Sequence, residues 1–174
     1  MPNLLIARPD PSEYAQDYGK YISLVPDGDI LATLKQQMDE TLSLLSNVPE
    51  SRANHRYAPG KWSIKELVGH LIDSERIFAY RALRFARGDQ TKLPGFEQDD
   101  YIRNASFDDY PLSDLAAELE HVRRSDIFLF QHLSEDAWGR RGAANDSEIS
   151  VRALAYSIAG HELHHREILR TKYL

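Results

Sequence analysis

The sequence contains no cysteine among its 174 residues. Disulfides, thiolate metal ligands and a cysteine nucleophile are therefore excluded, and any thiol chemistry must use a sulfur that a substrate brings in. Long apolar runs are missing as well. Nothing approaches the ~20 consecutive apolar residues that a membrane-crossing helix needs. Near the start, Leu4-Leu5-Ile6-Ala7 is too short for a signal peptide and is followed at once by Arg8-Pro9. Positive charge is in deficit: 21 Lys and Arg stand against 27 Asp and Glu, a formal net charge of −6. Nucleic acid and anionic membrane surfaces repel such a chain. These absences lead to the expectation of a cytoplasmic protein without a nucleic-acid or membrane partner.

What is present is the material of an ordinary globular core. The chain is 42% hydrophobic and 28% charged, and its length, residues 1–174, suits one domain that buries a core without staples. Residues 1–27 form a lead-in rich in proline (Pro2, Pro9, Pro11, Pro26) and tyrosine (Tyr14, Tyr18, Tyr21). With that many aromatics it is expected to pack on the body. A first helix is predicted from Asp29 to Asn47, since Ile30, Leu31, Leu34, Met38, Leu42 and Leu45 share one helical face and Pro49 follows. A second opens at a capping box, Ser63 with Glu66, and carries Ile64, Leu67, Val68, Leu71, Phe78, Ala82 and Phe85 until Gly88. Residues 89–111 make a long connection with a short helical turn over Gln98–Arg103. A third helix is predicted from Ser113 to Leu133, then a polar linker through Asn145-Asp146-Ser147, and a fourth helix from the N-cap Ser150 to Arg170. No alternating strand pattern is visible. The expected fold is all-α, a four-helix bundle with a long crossover between its second and third helices.

The chemistry concentrates in the last helix. Leu154, Ile158, His161, His165 and Ile168 fall at steps of four, three, four and three, so two histidines occupy core positions in an apolar stripe. Imidazoles four residues apart lie one turn apart on one face and can reach a single ion. A lone histidine there would more simply be a buried ring satisfied by hydrogen bonds. The pair, together with His70 in the second helix, favours a metal. His70 lies roughly 10 Å from the start of its helix and the pair roughly 8 to 14 Å from the end of theirs. Antiparallel packing of the two helices brings all three to one depth, and the long 89–111 connection permits it. His164 is the rival ligand but points to the flank of the stripe. His55, His121 and His132 are isolated and receive no role. Three neutral histidines leave a divalent ion with open positions, as in catalytic sites. Such an ion lowers the pKa of a water or thiol that it binds, giving a nucleophile near neutral pH. Spacing does not choose between the two.

His161-Glu162-Leu163-His164-His165 also matches the HExxH pattern of zinc proteases. Those enzymes draw a third ligand from farther downstream, whereas here nine residues follow His165 and Glu167 is the single candidate among them. Glu162 is therefore expected to face solvent rather than act as a base, with support of a ligand from behind as the alternative. Asp73, one turn after His70, could orient an imidazole but reads more simply as a solvated helix charge. Arg76, Arg81 and Arg84 read as surface charges before an anion site, and Trp62 and Tyr80 as packing before substrate stacking.

Gly60-Lys61-Trp62-Ser63, His70-Leu71-Ile72-Asp73-Ser74-Glu75-Arg76 and Ala159-Gly160-His161-Glu162-Leu163-His164-His165 occur in this order over a chain that resembles the DinB family, the DinB/YfiT-like metalloenzymes, from about Tyr14 onward. The resemblance implies a four-helix bundle with a crossover, a homodimer, and a histidine triad binding zinc or nickel. By position the triad falls on His70, His161 and His165, the set that the spacing selects independently. Some members are S-transferases of low-molecular-weight thiols and others carry a hydrolase label. The leading expectation is a metal-dependent enzyme of thiol S-transferase type acting on a small-molecule substrate. Its alternatives are a metal-dependent hydrolase and a non-enzymatic helical stress-response or interaction module.

Overall fold

A computed structural model describes residues 6–174. The first five residues of the lead-in lie outside the described residues. Residues 6–27 of the lead-in pack on the body. It holds a short helix, α1 (Gln16–Ile22), and is pinned by Arg8, whose guanidinium donates to the carbonyls of Ile22 (2.8 Å) and Val25 (2.5 Å). The Tyr156 hydroxyl donates to the Ile6 carbonyl at 3.3 Å, and buried Glu13 pairs with Arg152.

Asp29 starts α2 (Ile30–Ser46) by accepting the Leu31 N–H. A single turn, α3 (Glu50–Ala53), follows. The capping box at Ser63 and Glu66 forms as read, with both reciprocal hydrogen bonds, and opens α4 (Ile64–Ala86). The connection after it contains α5 (Gln98–Asn104). Then come α6 (Leu112–Gln131), the short α7 (Glu135–Gly139) and α8 (Val151–Ile168), where Ser150 caps the first turn by accepting from Ala153. A π-helical turn, Leu169–Tyr173, continues α8.

One segment departs from the sequence expectation. Inside the polar linker, β1 (Arg141–Ala144) and β2 (Ser147–Ser150) pair antiparallel, Arg141 opposite Ser150. Asn145 and Asp146 turn the hairpin with φ of 52° and 58°, a left-handed pair that suits a two-residue turn. Its strands are short and poor in β-branched residues, so no alternation betrays them. Gly142 lies so close to the Phe85 ring that a Cβ would overlap it, which seats the hairpin against the end of α4.

The four long helices touch in the cycle α2, α6, α4, α8 and back to α2. One apolar cluster gathers Ile30 and Leu34 of α2, Phe85 of α4, Phe130 of α6 and Leu154 of α8. The other gathers Leu45, Ile64, Leu115 and Leu169. Thus α2 and α8 run one way, α4 and α6 the other. Because α4 and α6 start at the same end, residues 87–111 must travel back along the bundle, which is the predicted crossover. Because α4 and α8 are antiparallel, the start of one lies beside the end of the other. Among the described residues no helix is long and apolar enough to cross a membrane.

Candidate metal centre

Between the two apolar clusters lies a buried polar layer, and the three selected histidines converge in it. Their relative exposures are 3% for His70, 6% for His161 and 9% for His165. His70 Nε2 stands 3.0 Å from His161 Nε2, and His165 Nε2 stands 3.1 Å from that same atom. Hydrogen bonding alone does not account for this triangle. A ring nitrogen offers one in-plane lone pair or one proton, so His161 Nε2 cannot align with both neighbours at once. A cation between the three can serve them all. Two nitrogens on one zinc ion at about 2.0–2.1 Å stand about 3.4 Å apart at a tetrahedral angle and about 2.9 Å apart at a right angle. The observed spacings fall between these values.

The electrostatics suit the same occupant. Burial pushes His70 down to about 4. His161 is held well below its ordinary value by burial first, then by the neighbouring His165 and His70. His165 is pushed down to about 3, again by burial and then by His70 and His164. Three neutral imidazoles at neutral pH present lone pairs instead of charges, the form in which histidine binds metal.

Packing fixes the rings. The Ser74 hydroxyl approaches His70 Nδ1 at 3.4 Å, the place for which Asp73 was a candidate; Asp73 itself is half-buried and makes no hydrogen bond there. His165 Nδ1 is buried without a protein partner, and Trp62 stacks on that ring at 6.4 Å and 26°. Tyr21 of α1 meets His161 edge-on at 5.2 Å. Gly160 makes this possible, because a Cβ there would lie 2.0 Å from the Tyr21 carbonyl oxygen. His164 is exposed and turns to Tyr21, outside the triad, as its direction on the helix implied.

Glu162 is a correction to the sequence reading. Far from facing solvent, it is 2% exposed and accepts from Thr41 Oγ1 (2.6 Å) and Arg123 Nη1 (2.7 Å). Arg123 also forks onto Glu75 at 2.5 and 2.9 Å and donates to the Leu34 carbonyl. Burial opposes the Arg123 charge, but Glu162 and Glu75 outweigh it and raise its pKa. Asp126, buried next to Glu75, is pushed up to about 8 by desolvation and then by that neighbour. A single helix pattern cannot reveal Glu162's partners, which come from two other helices.

The three arginines weighed for an anion site point elsewhere. Arg76 pairs with Glu118 on the surface, Arg81 donates to the Pro94 carbonyl, and Arg84 pairs with Asp89. Tyr80 is exposed beside Arg84. Trp62 does line the site: its ring is 4.8 Å from that of His70. It forms one wall of a pocket of about 300 Å³ that opens on His165 and includes Lys61, Asp99, Tyr57 and Tyr173. Two larger grooves, about 740 and 590 Å³, lie along α6 and touch none of the triad.

The DinB superfamily pattern matches residues 33–169. The chain belongs to the DinB superfamily. A relative from Oceanobacillus iheyensis, provisionally named a metal-dependent hydrolase, is 26% identical over 137 residues, covering 78% of this chain and 76% of its own. Among solved structures, Bacillus subtilis YfiT superposes with a TM-score of 0.64 at 18% identity, over 94% of this chain and 92% of that one. It too is described provisionally as a metal-dependent hydrolase, with an unusual four-helix bundle topology. A mycothiol-dependent maleylpyruvate isomerase superposes at 0.62 with 16% identity, covering 79% of this chain and 58% of that one. At such identities the two structures speak for the DinB fold.

Proposed function

We propose that this DinB protein is a metal-dependent enzyme in which His70, His161 and His165 hold one zinc or nickel ion and a low-molecular-weight thiol serves as nucleophile. The observation that carries it is the triangle of buried Nε2 atoms, with 3.0 and 3.1 Å sides, among rings kept neutral by burial. An ion so held is a Lewis acid that lowers the pKa of a water or thiol beside it.

The chain's own groups do the remaining work. Tyr21 and Phe78 stand edge-on to His161 at 5.2 and 6.0 Å and exclude water from the back of the site. Trp62 and His165 form the side that faces the pocket. Glu162, the residue that an HExxH reading would make a general base, is committed to Thr41 and Arg123, each of its oxygens already accepting a hydrogen bond. A thiol is acidic enough for coordination alone to ionise it, so the commitment of Glu162 favours thiol chemistry. Hydrolysis is the second reading, supported by the names of the Oceanobacillus relative and of YfiT.

The test begins with elemental analysis of protein made without a histidine tag and incubated with zinc or nickel. About one ion per chain is expected, lost in His165→Ala. Turnover of a panel of electrophiles and esters is then compared with and without added thiol. Thiol-dependent turnover supports the first reading and thiol-independent hydrolysis the second. No bound metal overturns both.

A further inference from the structure

The pocket beside His165 carries a charge pattern that holding a metal does not require. Lys61, just before Trp62, and Asp99, in α5, both line it. Among the described residues neither side chain has an ion-pair partner, whereas nearby Arg56 pairs with Glu66 and Asp108. Asp99 is close enough to the triad for its charge to act on the His70 ring. Between the two charges the walls are aromatic and braced. Tyr57 meets Tyr173 edge-on at 4.9 Å, and the Tyr173 hydroxyl donates to the Trp62 carbonyl at 2.6 Å. A cation and an anion held apart in one small pocket complement a ligand bearing both opposite charges. The volume, about 300 Å³, is at the small end of ligand pockets, which span roughly 300–1,000 Å³.

We propose that this pocket selects a small zwitterionic substrate, with an acidic group paired to Lys61 and an ammonium group paired to Asp99. The inference rests on the metal-site reading above, because the substrate's reacting atom must reach the triad, but it does not depend on that atom being sulfur.

The test is calorimetric titration of the zinc-loaded full-length protein with two series of small probes. One series is thiols: 2-mercaptoethanol (neutral), 3-mercaptopropionate (acidic), cysteamine (basic) and L-cysteine (both). The other is hydroxamates, which bind metals through oxygen: acetohydroxamate, the monohydroxamate of succinate, glycine hydroxamate and aspartate β-hydroxamate, in the same charge order. The doubly charged member is expected to bind tightest in each series. Lys61→Ala should remove the advantage of the acidic group and Asp99→Asn that of the ammonium, each by roughly threefold or more. An amine advantage that survives Asp99→Asn reports chelation of the ion and counts against the proposal. Equal affinities across both series overturn it while leaving the metal reading intact. Silent thiols beside charge-ranked hydroxamates support it and remove the thiol as nucleophile. Failure of both series to bind the zinc-loaded protein overturns it, and failure of the protein to take up zinc at all overturns the reading on which it rests.

Discussion

The histidine triad and the Arg123 cluster occupy the same buried layer, separated by a void of about 10 Å³ lined by His161, Glu162, Glu75 and Arg123. On one side of that void, all three arms of a guanidinium meet acceptors, and Thr41 occupies the remaining oxygen of Glu162. On the other side, three Nε2 atoms crowd together and His165 Nδ1 has no protein partner. Burial costs both groups their hydration. The Arg123, Glu75 and Glu162 side chains recover it from one another, although Asp126 Oδ2 beside them has no partner among the described residues; the triad instead turns three Nε2 atoms toward one another. Buried polarity alone therefore does not mark a functional site in this bundle; the triad differs in having three nitrogen atoms that converge on one point.

Four measurements break or sharpen that contrast. Arg123→Met should be the most damaging, because it leaves Glu75 and Glu162 buried without their cation; a loss of about 3–5 kcal/mol in urea unfolding is expected. His165→Ala should do the reverse, sparing the fold but weakening metal affinity by more than the roughly 10–100-fold that loss of an outer partner costs, as read by competition with a chromophoric chelator. Gly160→Ala pushes a methyl against the Tyr21 backbone and should cost about 1–3 kcal/mol in thermal unfolding, loosening α1 over the triad. The last measurement is of pH dependence and belongs to the cluster. Asp126 keeps its proton in the folded protein up to about pH 8, against an ordinary value of 3.8. Between those pH values the folded state binds more protons than the unfolded chain, so stability falls as pH rises through the window and is unaffected below it. Asp126→Asn should remove that slope, matching the wild type near pH 4 and exceeding it above pH 8 in urea midpoints.

The sequence is legible wherever a structural rule is local or periodic. The Asp29 and Ser63 caps, the stripes of α4 and α8, and the step of four between His161 and His165 all obey single-helix geometry. Even the approach of His70 follows from rise per residue once the crossover orients the helices. What escapes is set by partners distant in the chain. Glu162 reads as a surface glutamate until Thr41 and Arg123, 121 and 39 residues away, surround it. The hairpin turns on Asn145-Asp146 without the glycine that usually announces such turns. Lys61 and Asp99 obey no spacing rule, since what unites them is a surface formed by two segments that share no helix.

The return path of the chain after α4 has an evolutionary corollary. Residues 87–111 are mostly exposed, with Leu93 and Ile102 as their buried anchors, yet they carry Asp99 to the mouth of the pocket while the histidines stay on α4 and α8. On the proposed reading of the pocket, substitutions at the exposed positions of this strap retune which molecules are admitted at little cost to the bundle, and the three histidines need not change. A scaffold arranged this way can keep one reaction centre while its descendants diversify in what they accept.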